Sequence, residues 1–355
     1  MRRLLHISTL LLVFFLNYSN PSSAQTFTGT PAKEWINTIV ERFQLSGYAQ
    51  GGYEYYDQST TEDQFKISRI IFMANAKVSD HINAFMMYDF KSSSLHELWF
   101  NYQFCKALSV KVGQFKTPFS IENPLSPTVL ELIYPGSLVT GYMIGGSSDL
   151  MMKGGSGRDI GLNINGELLK GWVTYDLALM NGAGRNQNDN NAQKDFVGRV
   201  GLHPTKWLTL SGSILKGTGN IAVYQNQTGE TVSDLAPIGG LKHNGNYRRD
   251  RYAAGLEMKT TPFNLRSEYM AGKDGSEKSK GFYATGSVNN IGIKHLDLVA
   301  SYDYLDIWSG KTNRYSAGLQ YWFYPRCRLQ VGYGYNQTDG KKNENCILTQ
   351  IQVRF

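Results

Sequence analysis

The sequence predicts an all-β protein, a transmembrane antiparallel β-barrel of about sixteen strands. Three observations predict it. Apolar and polar residues alternate with period two through many short segments. The connections between those segments alternate between short and long. Aromatic residues reach 13% and glycines number 37, yet the mean hydropathy is only −0.35. Aromatic enrichment argues against disorder. After the N-terminus no apolar run approaches the roughly 20 residues of a membrane helix.

The chain opens with Met1-Arg2-Arg3, an apolar stretch to Leu16 and then Ser22-Ser23-Ala24. A basic start, a short apolar core and small residues at its end predict a secretory signal peptide over 1–24, cut after Ala24. The core, Leu10 to Leu16, is too short to span a bilayer. Residues 25–41 are expected to form a short periplasmic segment. There Trp35, Ile36, Ile39 and Val40 sit at helical spacing. The barrel is assigned to 42–355.

Formal charge is +7, and loss of Arg2 and Arg3 leaves +5. That mild basic balance suits anion preference and is too weak to imply nucleic-acid binding. Cys105, Cys327 and Cys346 have neither zinc spacing nor an even count, so no disulfide framework, metal or cofactor is expected. Cys327 and Cys346 are expected on neighbouring strands at opposite ends, unbridged.

Alternation places each segment between two solvents. Near the start Ile70, Phe72, Ala74, Ala76 and Val78 alternate with Arg69, Ile71, Met73, Asn75 and Lys77. At the end Ile347, Thr349, Ile351, Val353 and Phe355 alternate with Leu348, Gln350, Gln352 and Arg354. Lipid outside and water inside require this pattern. Sixteen segments are read, near 42–56, 65–78, 82–91, 95–105, 108–116, 158–166, 171–181, 195–203, 207–216, 247–260, 263–273, 281–290, 295–306, 313–324, 327–337 and 345–355. The number is even, as single-chain bacterial barrels require. Short connections such as Ser79-Asp80-His81, Thr261-Pro262 and Pro325-Arg326 carry turn residues. Long ones run over 117–157, 182–194 and 217–246. Short periplasmic turns and long outer loops are the asymmetry of membrane barrels. Tyr53, Tyr55 and Tyr56, and Tyr321-Trp322-Phe323-Tyr324, suit interface girdles. A soluble sandwich would also alternate, but this length is large for one, and no blade repeat of about 40–50 residues is present.

The stretch Gly113-Gln114-Phe115-Lys116-Thr117-Pro118-Phe119 resembles the phosphate-selective porin O and P family. In that family such a stretch closes a strand and opens a long third loop, which returns into a strand beginning Arg-Asp-Ile-Gly. Arg158-Asp159-Ile160-Gly161 stands at that place. The resemblance implies a sixteen-stranded porin, a homotrimer and a third loop folded into the lumen. The residues read alone point the same way. The segment 117–157 holds Pro118, Pro124, Pro127 and Pro135 and the run Val129-Leu130-Glu131-Leu132-Ile133. An apolar run in a loop needs burial, against the inner wall or over the rim.

Parity assigns Arg69, Lys77, Lys111, Arg199, Arg251, Lys259, Arg266, Arg314, Arg328 and Arg354 to the inner face. Asp89, Glu97, Asp176, Glu257, Glu268, Asp297 and Asp303 share it, an excess of three positive charges. Arginine suits phosphate because its planar fork donates paired hydrogen bonds. For any single arginine, a wall carboxylate is the expected partner ahead of a passing ion. Glu257 with Lys259, and Arg266 with Glu268, are expected as wall pairs. The candidate pore-lining and anion-binding residues are Lys111, Lys116, Arg158, Arg199, Arg251, Arg266, Arg69 and Arg314. Lys116 and Arg158, at the motif positions, are expected to frame a constriction.

The expected function is an outer-membrane porin, a water-filled channel for passive diffusion of small hydrophilic solutes, anions above all, with phosphate as one candidate among them. Its partners would be outer-membrane lipid and small anions. Two rivals come from other classes. A barrel enzyme needs a Ser–His pair with an orienting group, and no histidine has a hydroxyl residue that alternation places beside it. A surface receptor or adhesin would use outer loops, such as the Asn-rich stretch 181–195, which lacks a calcium-loop motif.

Overall fold

A computed structural model describes residues 42–58, 63–133, 136–146, 149, 155–220, 241 and 245–355. The signal-peptide and N-terminal helix expectations lie outside these residues. Sixteen strands close into one antiparallel barrel. They are β1 (Phe43–Tyr56), β2 (Gln64–Lys77), β3 (Ile82–Asp89), β4 (Ser94–Cys105), β5 (Leu108–Lys116) and β6 (Arg158–Leu168). Next come β7 (Val173–Met180), β8 (Asp195–Thr205), β9 (Leu208–Asn220), β10 (Asn246–Lys259) and β11 (Phe263–Asp274). The last are β12 (Glu277–Val288), β13 (Leu296–Ile307), β14 (Gly310–Tyr324), β15 (Cys327–Thr338) and β16 (Glu344–Arg354). Each expected segment corresponds to one strand, with ends shifted by at most four residues.

Neighbours around the barrel follow chain order, and β1 pairs with β16 to close it. At the seam Phe355 N–H donates to the Gly47 carbonyl at 3.0 Å, and Gly47 N–H returns a bond to Phe355 at 3.1 Å. Inside, Gln50 Nε2 donates to Gln352 Oε1 at 2.9 Å. Closure leaves no strand edge exposed, which is the only way a sheet can sit in hydrocarbon. Cys327 and Cys346 are both buried and lie at opposite ends of the neighbouring strands β15 and β16, as expected, and no disulfide joins them.

The outer face is apolar. Ile347, Ile351 and Val353 on β16, and Leu329, Val331 and Tyr333 on β15, stand exposed while Gln350, Gln352 and Gln330 are buried. At the end bearing the short turns, Trp172, Trp207, Phe263, Phe323 and Tyr324 are exposed, an aromatic girdle. Trp322 departs from the expected cluster. Alternation puts it on the inner face with Gln320, where its Nε1 donates to Asp297 at 2.9 Å.

The inner face is not uniformly polar. Ala178, Val197 and Leu215 stand directly opposite one another across β7, β8 and β9. Ala253 faces Met270 across β10 and β11. All five are buried, in one cluster with Phe119, Val139, Tyr142 and Met143 of the segment after β5. Three of these lie on α1 (Leu138–Met143), capped by Ser137, whose Oγ accepts from Thr140 N–H at 3.2 Å. Full burial of such side chains stabilises the contact by about 2 kcal/mol each. The apolar stripe explains where the proline-rich segment docks.

Gly113 and Gly161, from the two motifs, face each other across β5 and β6. A Cβ on Gly113 would come within 2.2 Å of the Leu98 carbonyl, and its φ of +133° disfavours any other residue. Gly113→Val is therefore expected to cost on the order of 3 kcal/mol or more. Loss of the unheated compact band on gel electrophoresis would register it; an unchanged band would contradict the fit.

Candidate functional site

The two motifs pair edge to edge. Lys116 faces Arg158, Phe115 faces Asp159 and Gln114 faces Ile160. Directly opposed like charges repel across a sheet, so each cation needs its own partner. Arg158 donates through Nε to Glu97 at 3.1 Å and through Nη1 to the Ser156 carbonyl at 3.2 Å. Lys116 donates to the carbonyls of Asn123 at 2.9 Å and Leu125 at 2.5 Å. It thereby ties down the segment that follows it. The other polar motif residues tie down the loop after β7. Gln114 accepts from Asn186 N–H at 2.7 Å, and Asp159 accepts from Gly182 N–H at 2.6 Å.

Several candidate arginines are committed elsewhere than to an ion. Arg251 is fully buried, bonded to Asp149 at 2.6 Å, Asp274 at 2.9 Å and the Met143 carbonyl at 2.6 Å. Arg266 does not pair with Glu268 as expected. It pairs with Glu131 of the segment after β5 and approaches Glu257 at 3.6 Å. Glu268 instead accepts from Ser120 Oγ at 2.7 Å and Ile121 N–H at 2.8 Å. Parity placed Arg266 and Glu268 correctly on one face; the inserted segment supplied better partners to both. The other expected pair holds, with Lys259 Nζ 2.9 Å from Glu257. Arg314 bonds Asp303 at 3.1 Å and the Gly136 carbonyl at 2.9 Å. Arg199 bonds Asp176 at 2.8 Å and the Ser120 carbonyl at 3.3 Å. These four arginines are thus clasps between wall and loop. Arg249, buried and paired with Asp195, escaped the sequence reading although parity with Arg251 could have found it.

Three candidates differ. Among the described residues Arg69, Lys111 and Lys116 have no carboxylate at ion-pair distance. Arg69 donates to Gln50 Oε1 at 2.8 Å. Lys111 Nζ lies over the Trp99 ring, 4.7 Å from its centroid, and 5.6 Å from that of Phe115. Two cavities run along this wall. One of about 280 Å³, toward the long-loop end, is lined by Arg69, His96, Lys116, Arg158 and Arg185 with Glu122. The other, about 340 Å³ toward the turn end, is lined by Lys111, Arg199, Asn163, Phe85 and Trp99. Both are bounded by Lys116, Arg158 and Pro127. Arg185, on the loop after β7, carries no alternation signal. Burial and the adjacent Arg158 push its pKa below the ordinary arginine value.

His203 does bond hydroxyls, contrary to expectation, because β8 runs past it to Thr205. Its Nε2 meets Thr174 Oγ1 and its Nδ1 meets Thr209 Oγ1, both at 3.1 Å. Both ring nitrogens are used, so no orienting carboxylate can hold it as a catalytic base.

A closed antiparallel barrel of sixteen strands with an apolar outer face is the architecture of porin structures. Residues 43–206 match the family described as phosphate-selective porin O and P, so the resemblance carried by the two motifs stands. Among solved structures, the trimer form of OmpT from Vibrio cholerae covers 88% of this chain and 99% of its own, with 12% identity and a TM-score of 0.65. The anion-selective porin from Comamonas acidovorans covers 88% and 99%, at 10% identity and a TM-score of 0.63. The DcaP channel of Acinetobacter baumannii covers 88% and 97%, at 13% identity and 0.61. No curated protein sequence matches significantly.

Arg251→Met would leave Asp149 and Asp274 buried without a counter-charge. Removing one partner from such a site costs roughly 3–5 kcal/mol. The segment 117–157 is expected to become protease-sensitive in the variant while the barrel stays intact, as mapped by limited proteolysis. An unchanged cleavage pattern would refute the clasp.

Proposed function

We propose that this protein is an outer-membrane porin, a water-filled channel through which small hydrophilic solutes diffuse passively, anions in preference to cations. One observation carries the preference. Arg69, Lys111 and Lys116 lack ion-paired carboxylates and stand along one wall beside two cavities. Unneutralised cations along a path raise the local anion concentration.

In this reading the segment 117–157 folds into the lumen and narrows it, held against the opposite wall by Arg251, Arg266, Arg314 and Arg199. Lys116 and Arg158, which bound both cavities, frame the constriction. Phosphate is one of the anions carried, although most of the arginines that could form a ladder for it are engaged. Residues 1–24 direct export and are removed, and residues 25–41 remain in the periplasm. The assembled form is a homotrimer, as the trimeric neighbour suggests.

Planar-bilayer recording in a chloride gradient tests the reading. The reversal potential is expected to be anion-selective, and Lys116→Gln to reduce the permeability ratio. Millimolar phosphate is expected to compete with chloride current. Because the Debye length falls from about 10 Å at 0.1 M salt to about 3 Å at 1 M, selectivity should weaken across that range. A cation-selective potential would overturn the proposal.

A further inference from the structure

The turn-end cavity holds groups that simple anion diffusion does not use. Apolar side chains facing a wet lumen are unfavourable unless covered. Those on β7 to β11 are covered by the segment carrying α1. Phe85 and Trp99 are covered only in part: Trp99 packs at the edge of the same cluster and Phe85 against Tyr48, Ile71 and Met87, yet both stay half-buried and line the cavity of about 340 Å³. They are directly opposite across β3 and β4, with rings stacked at 5.1 Å and 25°. Trp99 Nε1 is 3.4 Å from Glu97 Oε2, which fixes the indole. Lys111 lies over the indole, with no carboxylate at ion-pair distance among the described residues. Pro118 and Pro124 bound the same space, as do Glu97 and Asp176, each paired with a wall arginine, Arg158 and Arg199.

Lys116, on the same cavity, is held by the Asn123 and Leu125 carbonyls, so Lys111 is the ammonium set beside a flat apolar surface, an arrangement that suits a particular kind of solute. Inorganic phosphate or chloride would gain nothing from the rings. A neutral sugar would gain from the rings and not from the charge. An organic anion with a planar ring gains from both.

We propose that this cavity is a binding site for aromatic carboxylates, the ring against Phe85 and Trp99 and the carboxylate on Lys111. The proposal rests on the channel reading for its role in transport. Its chemistry stands on these residues alone.

The test uses the purified full barrel in detergent micelles, with benzoate, benzyl alcohol, acetate and inorganic phosphate as probes in calorimetric titration. Benzoate is expected to bind about tenfold more tightly than acetate or phosphate, the gain that aromatic contact supplies. Benzyl alcohol should bind more weakly than benzoate. Trp99→Ala should bring benzoate to the acetate level, Trp99→Phe should retain most of the difference, and Lys111→Met should bring benzoate to the benzyl alcohol level. Phe85→Ala and Lys111→Met carry the test if Trp99→Ala does not fold. Equal binding of benzoate and acetate, or of benzoate and benzyl alcohol, would overturn the proposal, as would unaltered binding in folded variants. Bilayer conductance is read in parallel. Conductance without benzoate preference refutes the site alone, whereas benzoate binding without conductance refutes the channel and supports the site.

Discussion

The interior depends on arginines of the barrel wall finding their acceptors on one inserted segment. Arg251 binds Asp149 and the Met143 carbonyl, Arg266 binds Glu131, and Arg314 binds the Gly136 carbonyl. Arg328 adds the Leu130 carbonyl at 2.8 Å, and Arg354 the Thr128 hydroxyl at 3.1 Å. Buried backbone carbonyls need donors, and a buried guanidinium has five to place. Each need answers the other in part: the Nε atoms of Arg251, Arg266, Arg328 and Arg354 stay without a partner among the described residues. Lys116 of β5, Arg199 of β8 and the arginines of β10 to β16 hold the segment in place, and Arg69 of β2 and Lys111 of β5 are left beside the cavities.

The same division explains what could be read from the sequence. Strand faces follow from period two, so Arg69, Lys111, Arg199, Arg251, Arg266 and Arg314 were assignable to the interior without a structure. Their partners were not. Asp149 and Glu131 lie in a segment with no periodicity, and nothing in residue spacing says that Glu131 meets Arg266. Glu268, two residues from Arg266, looked like its mate and instead accepts from Ser120 and Ile121. The inward apolar stripe was also missed, because a rule of polar inside and apolar outside has no place for Val197, Leu215 or Met270. Those residues face neither water nor lipid but a third environment, the loop itself.

The motif residues are legible in a different way. Gln114, Lys116, Arg158 and Asp159 each hold a backbone group or a side chain of a neighbouring loop. They form the junction at which two loops are fastened to two adjacent strands. Gly113 and Gly161 let the strands approach beneath that junction. A repulsive Lys116–Arg158 pair is tolerable there because Glu97 and three backbone carbonyls share its charge.

The seam between β1 and β16 sets the order of assembly. Gln50 and Gln352 are 302 residues apart in sequence, so the bonds that close the cylinder are the most non-local contacts of the fold. Contacts of that kind form late and make folding slow. Until β16 arrives, both β1 and β15 present unsatisfied backbone to whatever surrounds them, a state that hydrocarbon does not tolerate and that invites aggregation in water. Partial barrels therefore have no stable resting place in either solvent.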